Sequence, residues 1–252
     1  MNALFRRKRS RSGRHAVPAG IRCYAIGDVH GCLDALDRLI DRIVADIGRG
    51  GVSARLVFLG DLVDRGPDSK GVLDRLIGGE IPVTKVDTIM GNHEEAMLGA
   101  YDGTNDPRGW LSYGGIQTLE SYGIDRAERF APGFDLRQRM REAVPAEHIA
   151  FLRSLPDQLR VGDYLFVHAG IRPGVAFDHQ QPADLRWIRE GFLDSEADHG
   201  AMIVHGHTIS PEPQQLANRI GIDTGCYAGG SLTALVLEGS QQRFLQVPGL
   251  AA

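Results

Sequence analysis

The first part of the chain alternates between short apolar runs and segments whose apolar residues recur at helical spacing. The run Ile21 to Ile26 predicts a buried strand, and helical spacing follows it until Gly48. "RLVFL" (Arg55 to Leu59) and "VTKVDTIM" (Val83 to Met90) repeat this pattern, and each precedes another predicted helix. Because strands that alternate with helices usually pair in the same direction, this region predicts a largely parallel sheet.

The second part of the chain departs from this alternation. Between Asp102 and Pro156, helical pieces with mixed faces predict a helical insertion over one edge of the sheet rather than a separate domain. "QLRVGDYLFVHAG" predicts a hairpin about Gly162 and Asp163, and the strands after it predict mostly antiparallel pairing. The expected fold is α/β, with two packed mixed β-sheets flanked by helices and a helical insertion at about 102–156.

Charge is distributed unevenly along the 252 residues. Six of the 28 basic residues lie between positions 6 and 14, whereas all 32 acidic residues lie at position 28 or later. We predict a basic, solvated and disordered leader at 1–18, which is favoured over a segment that contacts RNA or anionic lipid, and a single acidic domain at 19–252. An acidic domain argues against binding of duplex nucleic acid. No apolar stretch is long enough for a membrane span or a signal peptide, so we expect a cytoplasmic protein.

Polar side chains follow five of the predicted strands. In each case Asp, Asn or His stands at the end of the strand, usually beside a glycine. Ligands of open α/β sheets bind in the crevice outside the carboxyl ends of the strands, so these side chains are expected to converge there. The segments are "GDVHG" (27–31), "GDLVDRGPDS" (60–69), "GNHE" (91–94), "HAG" (168–170) and "HGHT" (205–208).

The residue types in these segments indicate a metal site. Carboxylate, amide and imidazole ligands without thiolate suit Mn, Fe or Zn, and their number exceeds the needs of one ion. Two ions that share a bridging carboxylate are therefore implied. Such pairs, about 3.5 to 4 Å apart, lower the pKa of a bridging water and bind the attacking and leaving oxygens of a displacement. This arrangement is typical of phosphoester hydrolysis.

In this order, GDVHG, GDLVDRG, GNHE, HAG and GHT resemble the signatures of the calcineurin-like metallophosphoesterase superfamily. The resemblance is to its phosphoprotein phosphatases, specifically the bacterial and phage lambda-type serine/threonine members. It extends from Asp28 to Gly225, most of the chain. It implies the four-layer sandwich of metallophosphoesterases and hydrolysis of phosphate monoesters by direct attack of a metal-bridging hydroxide.

The resemblance also implies the metal ligands. Two divalent ions are expected, with Mn²⁺ preferred and Fe or Zn as alternatives. His207 is preferred over His205 because it occupies the His of the GHT signature, whereas His205 falls in the preceding strand. The first metal would bind Asp28 and His30, Asp61 would bridge both metals, and the second metal would bind Asn92, His168 and His207.

Four further residues receive roles from the same resemblance. His93 would be the general acid that protonates the leaving oxygen, and Asp64 would orient its ring. Arg65 would bind phosphate oxygens, because a guanidinium matches phosphate with two parallel hydrogen bonds. Arg189 in "RWIRE" resembles the family's Trp-x-Arg segment and would do the same, although an arginine near a tryptophan is also typical of a surface stacking pair.

Three functions remain open at this point. The preferred one is a serine/threonine protein phosphatase, active also on phosphotyrosine or small monoesters. The alternative is a dinucleoside polyphosphate hydrolase acting on diadenosine tetraphosphate, which the chain resembles in GDVHG, "RGP" and length. In that group the position matching Asp64 is typically not acidic, so the presence of Asp64 with His93 favours the phosphatase. A non-catalytic scaffold is disfavoured because no expected ligand or acid is missing. The expected partner is a phosphorylated protein or a small phosphoester; the oligomeric state is not indicated.

Overall fold

Ten strands and nine α-helices occur in residues 15–48, 53–79, 81–129 and 132–251, which are the parts described by the computed structural model. The strands are β1 (Ile21–Ile26), β2 (Ser53–Phe58), β3 (Lys85–Thr88), β4 (Gln158–Val161), β5 (Tyr164–Val167), β6 (Met202–His205), β7 (Gln214–Gln215), β8 (Arg219–Gly221), β9 (Ser231–Glu238) and β10 (Gln241–Pro248). The helices are α1 (Leu33–Ile47), α2 (Ser69–Ile77), α3 (Asn92–Asp102), α4 (Pro107–Trp110), α5 (Ile116–Ser121), α6 (Arg126–Arg129), α7 (Leu136–Ala143), α8 (Ala146–Ser154) and α9 (Pro182–Trp187).

The first sheet has the strand order β10-β9-β1-β2-β3. Strands β1, β2 and β3 are parallel, as the alternation of strands and helices predicts. The connecting helix α1 buries Leu36, Leu39, Ile40 and Ile43, which recur at helical spacing along one face. Gly48 ends this helix with a φ of 63°, a conformation that favours glycine. The polar segments after β1, β2 and β3 therefore meet at one edge of this sheet.

The second sheet differs from the prediction of mostly antiparallel pairing, which is wrong for its centre. Its order is β4-β5-β6-β8-β7, and β5, β6 and β8 are parallel, with antiparallel pairs only at the two edges. The predicted hairpin about Gly162 and Asp163 forms the β4–β5 pair. The parallel centre has a functional consequence, because it brings the ends of β5 and β6 to the same edge.

Strands β9 and β10 leave the second sheet and extend the first, where β9 pairs antiparallel with β1. Six of the eight residues of β9 are buried. Ala234 and Val236 pack on the helix side of the first sheet, whereas Leu235 and Leu237 pack between the two sheets. A strand that is apolar on both faces needs cover on both faces, and the position beside β1 provides it.

The hydrophobic core lies in three layers, which confirms the predicted α/β fold of two packed mixed sheets flanked by helices. One cluster packs α1, α2 and α3 on the first sheet, a second joins the two sheets, and a third covers the outer face of the second sheet with Leu185 of α9 and Phe192. The predicted insertion is present as α4 to α8. Its buried Trp110, Leu119 and Leu152 belong to the first cluster, so it has no separate core.

The predicted leader at 1–18 is only partly within the described residues, since positions 1–14 lie outside them. Positions 15–18 pack on the domain: Val17 is buried, its N–H donates to Gly239 O at 3.0 Å, and Asp163 N–H donates to Ala16 O at 3.0 Å. These four residues thus belong structurally with the domain. Among the described helices, none is long and apolar enough to cross a membrane.

Candidate metal centre

The predicted ligands converge at the carboxyl ends of the strands of both sheets. Each one comes directly after a strand or begins the helix that follows it. All are buried, at 8% exposure or less: Asp28 and His30 after β1, Asp61 after β2, Asn92 at the start of α3, His168 after β5 and His207 after β6. The convergence of residues from five segments matches the sequence-based expectation that they share one site.

Two groups of side chains in this cluster are spaced so that each could hold a metal ion, and they share Asp61. In the first group, Asp61 Oδ2 lies 3.4 Å from His30 Nε2 and 3.9 Å from His93 Nε2. In the second group, Asp61 Oδ1 lies 3.3 Å from His168 Nε2, which is 3.2 Å from His207 Nδ1. Asp61 therefore directs one oxygen to each group, as a bridging carboxylate would.

The remaining two predicted ligands border these groups. Asn92 Oδ1 lies 2.8 Å from His168 Nε2 and 2.9 Å from His207 Nδ1, so it completes the second group. Asp28 belongs to neither group of mutually close atoms, and its carboxylate accepts the backbone N–H of His207 at 3.0 Å. Burial and the nearby Asp223 carboxylate raise the pKa of Asp28, because two buried negative charges repel each other.

The histidine rings are oriented with one nitrogen toward the protein and one toward the cluster. His30 Nδ1 lies 2.9 Å from Val63 O, and His168 Nδ1 lies 2.8 Å from Leu59 O. A carbonyl can only accept a hydrogen bond, so each Nδ1 carries a hydrogen and each Nε2 faces the cluster. This is the usual support of metal-binding histidines, whose second nitrogen is held by a carbonyl or carboxylate.

The electrostatics of the cluster also favour a cation. Burial lowers the pKa values of His30 and His207 to about 3, so both rings are neutral at pH 7 and able to bind a metal. Burial acts in the same direction on His168, but the Asp61 carboxylate outweighs it and raises the pKa of His168 to about 10. The oxygens around His168 thus attract positive charge, and a divalent cation meets that demand with the nitrogen and oxygen donors present.

The backbone of the site is unusual. Among the described residues, five non-glycine residues have a positive φ, and all five are predicted site residues: His30, Asp61, Asp64, Arg65 and His207. Such conformations cost about 1–3 kcal/mol each and persist where the surrounding structure holds them for function. Two motif glycines allow the close packing needed here, since a Cβ on Gly60 would lie 2.5 Å from Gly91 N. The backbone strain is concentrated at the predicted ligands and their neighbours.

Glu94 holds the turn that carries Asp61, a role that the sequence analysis did not assign. Its Oε2 accepts N–H groups from Asp61 at 2.8 Å and Gly91 at 2.9 Å, and its Oε1 accepts those of Leu62 at 2.7 Å and Val63 at 3.2 Å. Burial raises the pKa of Glu94 to about 7, while the amides act in the opposite direction because they donate more strongly to an ionised carboxylate. The sequence signal for this role was Glu94 at the third position of the predicted helix that begins in GNHE, where a glutamate side chain commonly accepts backbone N–H groups.

His93 and Asp64 form the predicted pair. His93 Nδ1 lies 2.7 Å from Asp64 Oδ2, and both residues are buried. Burial lowers the pKa of His93, but the carboxylates of Asp61 and Asp64 outweigh it and raise the pKa above its usual value. Asp64 is itself held by the insertion: Trp110 Nε1 donates to it at 2.9 Å and Thr118 Oγ1 at 2.6 Å. No local sequence signal identifies Trp110 and Thr118 as its partners.

The two predicted arginines lie at the rim of the cluster. Arg65 Nη2 is 3.1 Å from His93 Nε2, and its guanidinium stacks 4.6 Å from the Tyr227 ring centroid. Arg189 is exposed, and its Nη2 donates to His207 O at 3.4 Å. Tyr227, which follows the turn at Gly225, was not among the predicted site residues. Both guanidinium groups are therefore positioned beside the two candidate metal groups.

His205, the residue set aside in favour of His207, belongs to neither group. It is 1% exposed, its ring centroid lies 5.2 Å from that of Phe192, and burial lowers its pKa to about 4. It therefore packs in the core at the end of β6. Asp223 was missed: it is buried, and burial raises its pKa to about 6, with the Asp61 carboxylate acting in the same direction.

Comparisons with known proteins show which enzymes this chain resembles. The chain is 29% identical over 230 residues to the asymmetrical bis(5'-nucleosyl)-tetraphosphatase PrpE of Anoxybacillus flavithermus, covering 83% of this chain and 88% of that one. It is 28% identical to the symmetrical bis(5'-nucleosyl)-tetraphosphatase of Methylococcus capsulatus, covering 90% and 95%. It is also 28% identical to serine/threonine-protein phosphatase 1 of Salmonella typhimurium, covering 91% and 95%.

Solved structures show the same fold. A provisionally named diadenosine tetraphosphatase superposes with a TM-score of 0.64 at 23% identity, covering 92% of this chain and 95% of that one. A cold-active protein tyrosine phosphatase superposes with a TM-score of 0.62 at 18% identity, covering 92% and 81%. The sequence model of the calcineurin-like phosphoesterases matches residues 21–249. The chain therefore belongs to the calcineurin-like phosphoesterase family and is a hydrolase of the metallophosphoesterase type.

Proposed function

We propose that this protein is a metal-dependent hydrolase of dinucleoside tetraphosphates. The observation that carries the proposal is the similarity, over more than four fifths of the chain, to both asymmetrical and symmetrical tetraphosphatases. The sequence alone favoured a protein phosphatase and kept the tetraphosphatase as the alternative; these relatives support the alternative. The geometry is compatible with it, because hydrolysis of a phosphoanhydride and of a phosphate monoester both require attack of water on phosphorus and neutralisation of phosphate charge.

The residues of the cluster divide into ligands and acid–base groups. Asp28 and His30 would hold the first metal, Asp61 would bridge, and the second metal would bind Asn92, His168 and His207. His93 is close enough to join the first group, but its Nδ1 is taken by Asp64 and its Nε2 faces Arg65. Bound divalent ions, Mn²⁺ by preference, would supply a lowered water pKa and neutralise phosphate charge.

Three of the other residues act on the substrate directly, and Asp64 acts through His93. His93 donates a proton from Nε2 to the leaving oxygen, and Asp64 keeps the opposite nitrogen protonated and the ring in place. Arg65 and Arg189 bind phosphate oxygens from the rim. A nucleotide leaving group is a phosphate oxygen, which is far less basic than the alkoxide of serine. The contribution of His93 is thus smaller for a dinucleoside tetraphosphate than for a phosphoserine ester.

A second candidate function is serine/threonine protein phosphatase. The observation in its favour is the His93–Asp64 pair at 2.7 Å, since a well-oriented general acid is most valuable for a poor leaving group. Similarity to the Salmonella serine/threonine phosphatase over 91% of the chain supports it as well.

Parallel assays of Mn²⁺-loaded protein test the proposal. Diadenosine tetraphosphate, a phosphoserine peptide and a phosphotyrosine peptide are compared by kcat/KM, with protein treated with a chelator as the control. We expect at least a tenfold preference, about 1.4 kcal/mol, for the dinucleotide and loss of activity on chelation. Chromatography of the products, AMP with ATP or two ADP, then identifies the cleavage position. A tenfold preference for either peptide would overturn the proposal in favour of the phosphatase.

A further inference from the structure

An exposed tryptophan lies beside the metal centre and has no role in the functions discussed so far. Trp187, the last residue of α9, is 41% exposed. Its ring centroid lies 6.3 Å from that of His207, at an interplanar angle of 80°. It therefore stands at the rim of the second metal group, on the same side as Arg189.

The ring of Trp187 is held in one orientation. Its Nε1 donates to Glu95 Oε2 at 2.6 Å, and the other oxygen of Glu95 accepts Arg186 Nη1 at 2.7 Å. Arg186 Nε in turn donates to Asp157 Oδ1 at 2.6 Å. These bonds link α9 to α3 and to the segment after α8. An anchored indole loses little conformational entropy when another flat group packs on it.

A surface cleft runs along this rim, lined by Arg172, Asp184, Trp187 and Arg189 among others. The cleft thus combines an aromatic ring and a guanidinium that both lie beside His207 of the second metal group. An exposed aromatic ring held rigid at such a place is suited to stack on a flat ligand group, and every nucleobase has such a face. In a nucleotide the ribose separates the base from the phosphate. Trp187 lies at a similar remove from the metal groups, because the His207 ring stands between it and them, with the two ring centroids 6.3 Å apart.

We propose that Trp187 is the stacking surface for one nucleobase of the substrate. This inference rests on the proposed function and names the part of the substrate that distinguishes a nucleotide from a simple phosphoester. Arg189 binds a phosphate of the same nucleotide, so the two neighbours on one short segment recognise base and phosphate together. Trp187 is thus a specificity-determining residue, whereas the metal ligands do not distinguish substrates by the base.

Binding of two ligands that differ only in the nucleoside tests the stack directly. ATP and inorganic tripolyphosphate, each as its Mn²⁺ complex, are titrated calorimetrically into Mn²⁺-loaded protein. We expect Trp187→Ala to weaken ATP binding by about 5- to 150-fold, the range measured for one base–aromatic stack. The affinity for tripolyphosphate should stay within about twofold, since that ligand has no base.

Two further variants separate stacking from structural effects. Trp187→Phe keeps an aromatic ring but lacks the Glu95 bond, and it should retain most of the ATP affinity. Leu216→Ala removes a side chain of similar exposure, 45%, on the hairpin of β7 and β8, and should leave both affinities unchanged. ATP should also quench the fluorescence of Trp187, measured as the difference between wild type and Trp187→Phe. Equal weakening of both ligands in Trp187→Ala, or unchanged ATP binding, would overturn the inference.

The activity assay distinguishes failure of the inference from failure of the proposed function. If wild-type protein does not hydrolyse diadenosine tetraphosphate but ATP binding depends on Trp187, the proposed function is wrong and the stacking site is supported. If wild type hydrolyses the dinucleotide and Trp187→Ala does so with the same kcat/KM, the function is supported and the stacking site is wrong. Where both hold, Trp187→Ala should raise KM more than it lowers kcat.

Discussion

Glu94 provides the sharpest test of how the fold prepares the metal centre. Its carboxylate accepts four backbone N–H groups, two on each oxygen, and these bonds tie the turn after β2 to the start of α3. The same turn carries Asp61, whose φ of 50° is unfavourable for a residue with a side chain. Replacing Glu94 by glutamine keeps the size of the side chain and removes the charge.

The expected loss follows from the geometry of the amide. In either orientation of the glutamine amide, its NH₂ group takes the place of a carboxylate oxygen that accepts two backbone N–H groups. Two hydrogen bonds are therefore lost, and the NH₂ group faces two N–H donors. Hydrogen bonds to a charged group are worth roughly 1.5–3 kcal/mol each. The raised pKa of Glu94 means that burial of its charge offsets part of this gain, so Glu94→Gln should lower the free energy of unfolding by about 1–3 kcal/mol. For a protein of this length, the melting temperature should fall by roughly 2–12 °C, at 2–4 °C per kcal/mol.

Calorimetric unfolding at about pH 8 measures this effect, because there the pH exceeds the Glu94 pKa of about 7 and the wild-type carboxylate is ionised. The matched control is Glu147→Gln, which changes an exposed glutamate in the first turn of α8 and should shift stability by less than about 0.5 kcal/mol. Metal content of Glu94→Gln should fall as well, since Asp61 loses its support. A melting temperature equal to or above that of wild type would refute the clamp, because burial of the Glu94 charge would then cost more than its hydrogen bonds contribute.

The remaining predictions concern the shared ligand, the general acid and a stabilising carboxylate outside the site. Asp61→Asn should reduce metal binding in both groups, since each of its oxygens faces one of them; elemental analysis that still finds two ions per chain would reject the bridging role. His93→Asn should keep the metal and lower kcat for a phosphoserine peptide by roughly 10² to 10⁴, with a smaller loss for diadenosine tetraphosphate. An unchanged phosphoserine rate would remove His93 from the chemistry. Asp46→Asn should destabilise the protein at pH 7: burial acts to raise the Asp46 pKa, but hydrogen bonds from Arg243 and Tyr24 outweigh it and lower that pKa below 3.8. A depressed folded-state pKa stabilises above the unfolded-state pKa and ceases to do so as the pH falls through the folded value, so the unfolding curves should converge in acid. A difference that persists undiminished there would contradict this account.

Much of the site was predictable from the sequence because each part of it is encoded locally. A run of apolar residues specifies a strand, and the glycine and polar residue that follow specify where the chain turns and what it presents. GDVHG, GDLVDRG and GNHE each follow a parallel strand of the first sheet, so the convergence of Asp28, Asp61 and Asn92 follows from strand direction alone. The preference for His207 over His205 rested on the GHT motif. The distances place His207, but not His205, in a candidate metal group.

The pairing within the second half was not predictable in the same way. The runs that form β8 and β9 look alike as short apolar segments, and alternation does not tell which sheet each joins. Burial on both faces of β9 requires cover from the helices on one side and the second sheet on the other, which only the assembled domain supplies. The prediction of mostly antiparallel pairing was wrong only for β5, β6 and β8, because short apolar runs do not reveal the direction in which two strands pair.

The sequence by itself determined the chemical types of the candidate ligands, their order along the chain and the strand ends that present them. The tertiary structure decided which residues support them: Trp110 and Thr118 on Asp64, at separations of 46 and 54 positions, and Tyr227 on Arg65, at 162. It also decided that Glu95 anchors Trp187, 92 positions away. The physical reason is that a ligand's identity is a property of its own side chain and turn, whereas its orientation depends on hydrogen bonds from distant segments that meet only when the two sheets and the insertion pack together.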